Sequence, residues 1–183
     1  MIEPAPGVIL ISEPFLKDPN FMRTAVYLCE HSEDSSFGLV MNRPFEQQLD
    51  DFIPALDGMA IPLFYGGPVQ TDTLHILHTL PDAIPNATQV SNGVYWGGDF
   101  PSIIDLIVAQ QLDLDRIRFY LGYSGWGTGQ LEGEIAEKSW LTVAGGPSLV
   151  FHPEPEDIWK MAVQQLDKSF HPIIHYPIDP QLN

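Results

Sequence analysis

Leu121–Glu134, LGYSGWGTGQLEGE, is the stretch that organises the chain. It strings Gly122, Gly125, Gly127 and Gly129 around Tyr123 and Trp126. Before it, Ile117-Arg118-Phe119-Tyr120-Leu121 is short, β-branched and aromatic, which predicts a strand. After it, Gln130–Lys138 predicts a short helix, with Leu131 and Ile135 four apart on one face. Glu132, Glu134 and Glu137 precede Lys138, an order that suits the helix dipole. The expected sequence of elements is strand, glycine turn, helix.

Known glycine-loop chemistries fit this stretch poorly. A dinucleotide loop starting at Gly125 and Gly127 would need a glycine where Gln130 stands. A phosphate loop would need Gly-Lys-Ser/Thr, which is absent. A nucleophile elbow would begin at Gly122-Tyr123-Ser124 and needs its last glycine where Trp126 stands. A backbone anion site at the helix N-terminus remains open, opposed by the neighbouring glutamates. The simplest reading is structural: glycines permit positive φ and close backbone approach, and Tyr123 and Trp126 pack where side chains are missing.

Gly-Tyr-Ser-Gly-Trp-Gly followed by Gly129-Gln130-Leu131-Glu132 resembles the signature of the AlgH/YqgE family. Other blocks agree: Pro14, Asp18-Pro19, Phe21, Arg23-Thr24 and Glu30-His31; Gly38-Leu39-Val40 with Asn42-Arg43-Pro44; and Tyr65-Gly66-Gly67-Pro68-Val69 with Leu77-His78. The resemblance runs from about Gly7 to Leu166. It implies an α+β fold whose largely antiparallel, bifurcated and partly barrel-like sheet is flanked by helices. It also implies a bacterial protein from a family often labelled as transcriptional regulators, without an established activity. Relatives with Ala at the position of Ser124 argue against a serine nucleophile. Thr128 stands where Pro is common.

Composition sets outer bounds. A chain of 183 residues with 44% hydrophobic residues is one globular domain, able to bury roughly 70% of its unfolded surface. Residues 1–166 are expected to form it, with 167–183 as an extended, proline-containing tail. Seventeen prolines and 15 glycines call for many turns and short elements. Eight Lys+Arg against 24 Asp+Glu give a net charge of −16. Such a chain repels nucleic acid overall, so direct DNA binding is disfavoured. The acidity suits a cytoplasmic protein or one with a basic protein partner. MIEPAPGVIL lacks a basic n-region, so no signal peptide is expected. No apolar run reaches membrane-spanning length.

Cys29, the one cysteine, excludes an internal disulfide and multi-cysteine metal sites. On a regular strand through Thr24–Glu30, Cys29 and His31 would share a face, and a charged His31 would favour the thiolate. Against this enzyme or redox-sensor reading, a lone cysteine in an apolar strand is ordinarily a small buried hydrophobe. Arg43 could hold a carboxylate or phosphate, although pairing with one of the chain's own acids is the plainer expectation. His75 and His78 fall on opposite strand faces, and Pro172 breaks the spacing of His171 and His175, so neither pair predicts a metal site. No cofactor is implied.

Along the rest of the chain, strands are expected at Val8–Ile11, Thr24–Glu30, Gly38–Asn42, Pro62–Tyr65, Leu74–His78, Val90–Trp96, Trp140–Val143 and Ser148–Phe151. Helices are expected at Gln47–Phe52, from Asp99 or Phe100 with Pro101 in the first turn, and at Glu156–Leu166. Strands outnumber helices without strict alternation, which favours an α+β class. The binding surface expected from sequence is the aromatic–glycine group Tyr123, Trp126 and Gly127, serving a protein partner or small ligand without catalysis.

Overall fold

The computed structural model describes residues 1–177. The strands are β1 (Val8–Ser12), β2 (Ala25–His31), β3 (Ser35–Val40), β4 (Leu63–Tyr65), β5 (Val69–His78), β6 (Ala87–Ser91), β7 (Val94–Gly97), β8 (Ile117–Gly127) and β9 (Trp140–Ala144). The α-helices are α1 (Phe100–Val108), α2 (Gln130–Ala136), α3 (Pro147–Val150) and α4 (Ile158–Gln164). The strands form one curled sheet in the order β6-β7-β5-β8-β3-β2-β1-β9, with β4 set off the path against β8. All pairings are antiparallel except β4 with β8. The α+β class and the forked, partly barrel-like sheet expected from sequence are both present.

β8 makes the fork. Along one edge, Ile117–Leu121 and Tyr123 pair with β5. Along the other, Phe119–Leu121 pair with β4 and Ser124–Gly127 pair with β3. The glycine stretch is therefore mostly strand and not a turn, which corrects the expected strand–turn–helix order. The reason is backbone crowding at the crossing of β8 with the Gly66-Gly67 corner. A Cβ on Gly122 (φ +69) would lie 2.4 Å from the Gly67 carbonyl oxygen, and one on Gly67 would lie 2.2 Å from the Tyr123 carbonyl. Two backbones pass where side chains cannot fit, and the strand continues through the crossing.

Three apolar clusters hold the sheet. The concave face carries Ile9, Ile11, Tyr27, Leu39 and Tyr120, covered by Ile158, Trp159, Ala162 and Val163 of α4. The convex face of β1–β3 carries Val8, Leu10, Val26, Leu28 and Val40 under Trp126, Leu131 and Trp140. The third cluster joins Ile76 and Phe119 to Ile103 and Ile107 of α1. Asp99 caps α1 by accepting from the Ser102 amide at 3.0 Å, as its sequence position predicts. The curl is drawn together where the Tyr27 hydroxyl meets Ser91 Oγ at 2.8 Å.

Several local expectations are corrected. Val90–Trp96 is not one strand: Gly93, at φ +80, reverses the chain between β6 and β7. β3 begins at Ser35 and not at the expected Gly38, so a short connection joins it to β2, which ends at His31. Ser148–Phe151 lies in and just after α3, which starts at Pro147 after Gly146, because Pro fits the first helical turn. Phe52 is half exposed and does not join Leu49 in the core, because Leu49–Asp51 is a single tight 3₁₀ turn. The expected extended tail is 3₁₀-helical over Lys168–His175, where Asp167 caps Ser169 and Pro172 tolerates the tighter turn. The remainder of that tail, 178–183, lies outside the described residues.

Candidate functional site

Strand parity divides the glycine stretch between two faces. Trp126 points to the convex side and is buried, 4% exposed. Its indole N–H donates to Glu134 Oε2 at 2.9 Å, and Trp140 donates to the same oxygen at 2.8 Å. Gln130 donates to the other carboxylate oxygen at 2.9 Å. Phe21 stacks on Trp126 with centroids 6.3 Å apart. Trp126, which the sequence placed on the expected binding surface, is thus a fastened core side chain. Gly127 is exposed, and its N–H donates to Gln130 Oε1 at 3.1 Å, so the open anion-site reading loses this donor to the helix's own side chain. Ser124 is fully buried and donates to the Gly66 carbonyl at 3.2 Å.

Tyr123 points the other way. It joins Phe37, His75 and Trp96 in a half-buried ring of aromatic side chains at the rim of the concave face. Phe37 is its centre, 5.0 Å from Tyr123 and 5.1 Å from both His75 and Trp96. His75 stacks on Trp96 at 24°. His75 Nε2 is buried with no hydrogen-bond partner among the described residues. Burial also pushes the His75 imidazole below the ordinary histidine range, so the ring is neutral near pH 7. An unpaired buried nitrogen costs about 1–3 kcal/mol.

Cys29 and His31 are not brought together. The β2–β3 register shifts between Leu28 and Glu30, a bulge that reverses the alternation expected of a regular strand. Cys29 faces the concave core, 4% exposed, with its thiol donating weakly to the Tyr27 carbonyl at 3.8 Å. Burial pushes that thiol well above its usual range, the opposite of an activated nucleophile. His31 faces α2, with Nδ1 2.8 Å from Ser36 Oγ and Nε2 3.6 Å from Glu132. This Ser36–His31–Glu132 chain has the composition of a hydrolytic triad but the reverse presentation. Ser36 is 6% exposed while the Glu132 side chain is 48% exposed, so solvent meets the acid and not the hydroxyl.

Arg43 is a clamp. Its guanidinium donates to the Met22 carbonyl at 2.7 Å, and Asn42 donates to the Arg23 carbonyl at 2.9 Å. Both tie the 18–24 turn to the sheet, so Arg43 bonds backbone carbonyls where an acid partner was expected. His75 lies in the aromatic ring, whereas His78 stacks on Tyr95 and accepts from the Leu80 amide at 3.1 Å. The described residues include no grouping of three or more His, Cys, Asp or Glu able to hold a metal. No helix among them is long and apolar enough to cross a membrane.

Sequence reasoning missed Phe37, His75 and Trp96 as neighbours of Tyr123. None of the three is an in-register partner of Tyr123: Tyr123 pairs with Val69, His75 with Tyr120, Phe37 with Gly125 and Trp96 with Leu77, and the Val69/Leu74 shift in β5–β8 hides their approach from the sequence.

Comparison with known proteins agrees with this architecture. A family model described as AlgH-like matches residues 9–171. A UPF0301 protein of Chlorobaculum tepidum is 39% identical over 178 residues, covering 97% of this chain and 95% of its own. A UPF0301 protein of Bacteroides thetaiotaomicron is 41% identical over 182 residues, covering 98% and 92%. The solution structure of the AlgH protein from Pseudomonas aeruginosa superposes with a TM-score of 0.74 at 28% identity, over 97% of this chain and 98% of that one. A crystal structure from Corynebacterium diphtheriae shares the fold, with a TM-score of 0.80 at 23% identity over 94% and 92%. This α+β protein belongs to the AlgH-like family, whose members' function is uncharacterised.

Proposed function

We propose that the protein is a non-enzymatic, cytoplasmic binding module that captures a basic segment of a protein partner across the Phe37–His75–Trp96–Tyr123 ring. The observation that carries this reading is the ring itself: four half-buried aromatic side chains on one rim, with an unpaired imidazole nitrogen among them. Charge supports the choice of partner. The chain has no lysine or arginine between Arg43 and Arg116, and none between Arg23 and Arg43. Those two segments supply Phe37, His75 and Trp96, together with Glu30, Glu33, Asp34 and Asp72. Cationic side chains gain about 0.5–2 kcal/mol over aromatic faces, most over Trp. Glu30 pairs with Phe37 across β2 and β3, and carboxylates beside a binding surface speed the encounter with a cation at low salt. The same charge argument disfavours a nucleic-acid partner.

The test is a titration of synthetic lysine- and arginine-containing peptides, with length-matched neutral and acidic controls, read by tryptophan fluorescence at low and high salt. Basic peptides should bind, weaken with salt, and lose binding in Trp96→Ala and Tyr123→Ala proteins that melt cooperatively. Equal binding of acidic and basic peptides, or unchanged binding by both variants, would overturn the proposal.

A further inference from the structure

A second site lies at the other end of β8. Arg118 and Tyr123 are five residues apart, or about 17 Å along an extended strand. Here a cavity of about 640 Å³ opens, walled by Phe45, Leu63, Phe64, Leu114 and Phe151, with Arg118 among its lining residues. That volume falls within the range of about 300–1,000 Å³ typical of small-molecule sites.

Arg118 is the unusual member. It is 9% exposed, yet no carboxylate pairs with it among the described residues. Its guanidinium donates to the Val150 carbonyl at 2.9 Å and to the His152 carbonyl, and lies 5.3 Å over the Phe64 ring. These contacts use two of the five N–H groups that a guanidinium carries. Its Nη1 and Nη2 make these two bonds, and its Nε is not a sealed, unpaired atom. Beside it, the Tyr120 hydroxyl is buried without a partner among the described residues, and burial raises its pKa to about 12 against the opposing pull of Arg118. A buried cation without a counter-charge is costly in a chain so rich in acids, where surface pairing was freely available. Glu46 and Asp115 also line the cavity, but both are exposed and solvated, so they edge the opening and do not neutralise Arg118.

We propose that this cavity is a binding site for a small carboxylic acid with an apolar body, its carboxylate on Arg118 and its body against the phenylalanine-lined wall. The guanidinium fork matches a carboxylate in bidentate geometry. The apolar wall supplies the burial that a bare inorganic anion cannot use.

The experiment titrates the intact protein with octanoate, octanol and octylammonium, following backbone amide shifts. Octanoate should bind at least about tenfold more tightly than octanol, the worth of a charge-assisted hydrogen bond. Its shifts should gather at Phe45, Gln47, Ile117, Arg118 and Phe151. An Arg118→Lys protein should lose most of that preference while still accepting octanol. Equal binding of octanoate and octanol, no binding of octanoate, or shifts confined to the Tyr123 rim would overturn the proposal. Because the alcohol comparison uses the unaltered protein, a variant that fails to fold leaves the test intact.

Discussion

The two faces of the β3–β8 pair use similar residues for opposite ends. On the convex side, Trp126 is packed against Phe21 and Trp140 and tied to Glu134. On the concave rim, Tyr123 sits half-buried beside Phe37, His75 and Trp96, and its ring touches other rings at 5.0–5.7 Å. Three residues of sequence separate the two side chains, and an odd separation along a strand sends them to opposite faces. A sequence motif that looks like one surface is therefore a bolt on one side and a rim on the other.

The two faces depend most on the point where the two backbones cross. Gly122→Ala or Gly67→Ala forces a Cβ to within 2.4 Å or 2.2 Å of backbone atoms at positive φ. Each should cost at least about 4 kcal/mol and leave little soluble, cooperatively melting protein. Gly127→Ala, where a Cβ meets nothing within 4 Å, should change the urea midpoint hardly at all.

The two aromatic side chains should separate next. Trp126→Ala should destabilise by about 3–5 kcal/mol, the usual range for a large buried aromatic. Tyr123→Ala should cost roughly 1–2 kcal/mol, because part of its surface is already wet. Glu134→Ala removes the acceptor of two indole N–H groups and should cost about 1–3 kcal/mol, with Trp126 and Trp140 emission shifted together. If Tyr123→Ala proved as damaging as Trp126→Ala, the distinction between bolt and rim would be lost.

Much of this architecture was legible in the sequence. Apolar runs gave β1, β2 and β9, and Asp99-Phe100-Pro101 gave the start of α1, because these signals are local. Parity across the site was not legible. It depends on the bulge at Cys29 and on the crossing at Gly122, and both are set by contacts with distant segments. Ser148–Phe151 was expected as a strand but falls in and just after α3, because so short an apolar run does not separate strand from helix. Arg118 carried a readable clue: a cation inside the apolar run Ile117–Leu121, in phase with Tyr120.

Cys29 should react with a thiol reagent no faster than the protein unfolds, at any pH where the fold persists, and His31→Ala should leave that rate unchanged. His75 and His78 both have pKa values lowered by burial, which for His78 is opposed by the Gly97 backbone. The unfolded chain then binds more protons than the folded one just below the ordinary histidine value of 6.5. Stability contributed by the neutral rings is present above that pH, and falls with acidification until the folded-state pKa is passed. In His75→Phe, the urea midpoint should decline less over that window than in the unaltered protein.

The most direct measurement follows the indole N–H resonances of the four tryptophans while a basic peptide is added. Trp126 and Trp140 donate to Glu134, and Trp159 donates to the Ser12 carbonyl at 3.1 Å. Trp96 belongs to the rim. The Trp96 signal should move with saturation while the other three stay in place. Movement of Trp126 and Trp140 with a stationary Trp96 would contradict it, and would return the binding surface to the convex face.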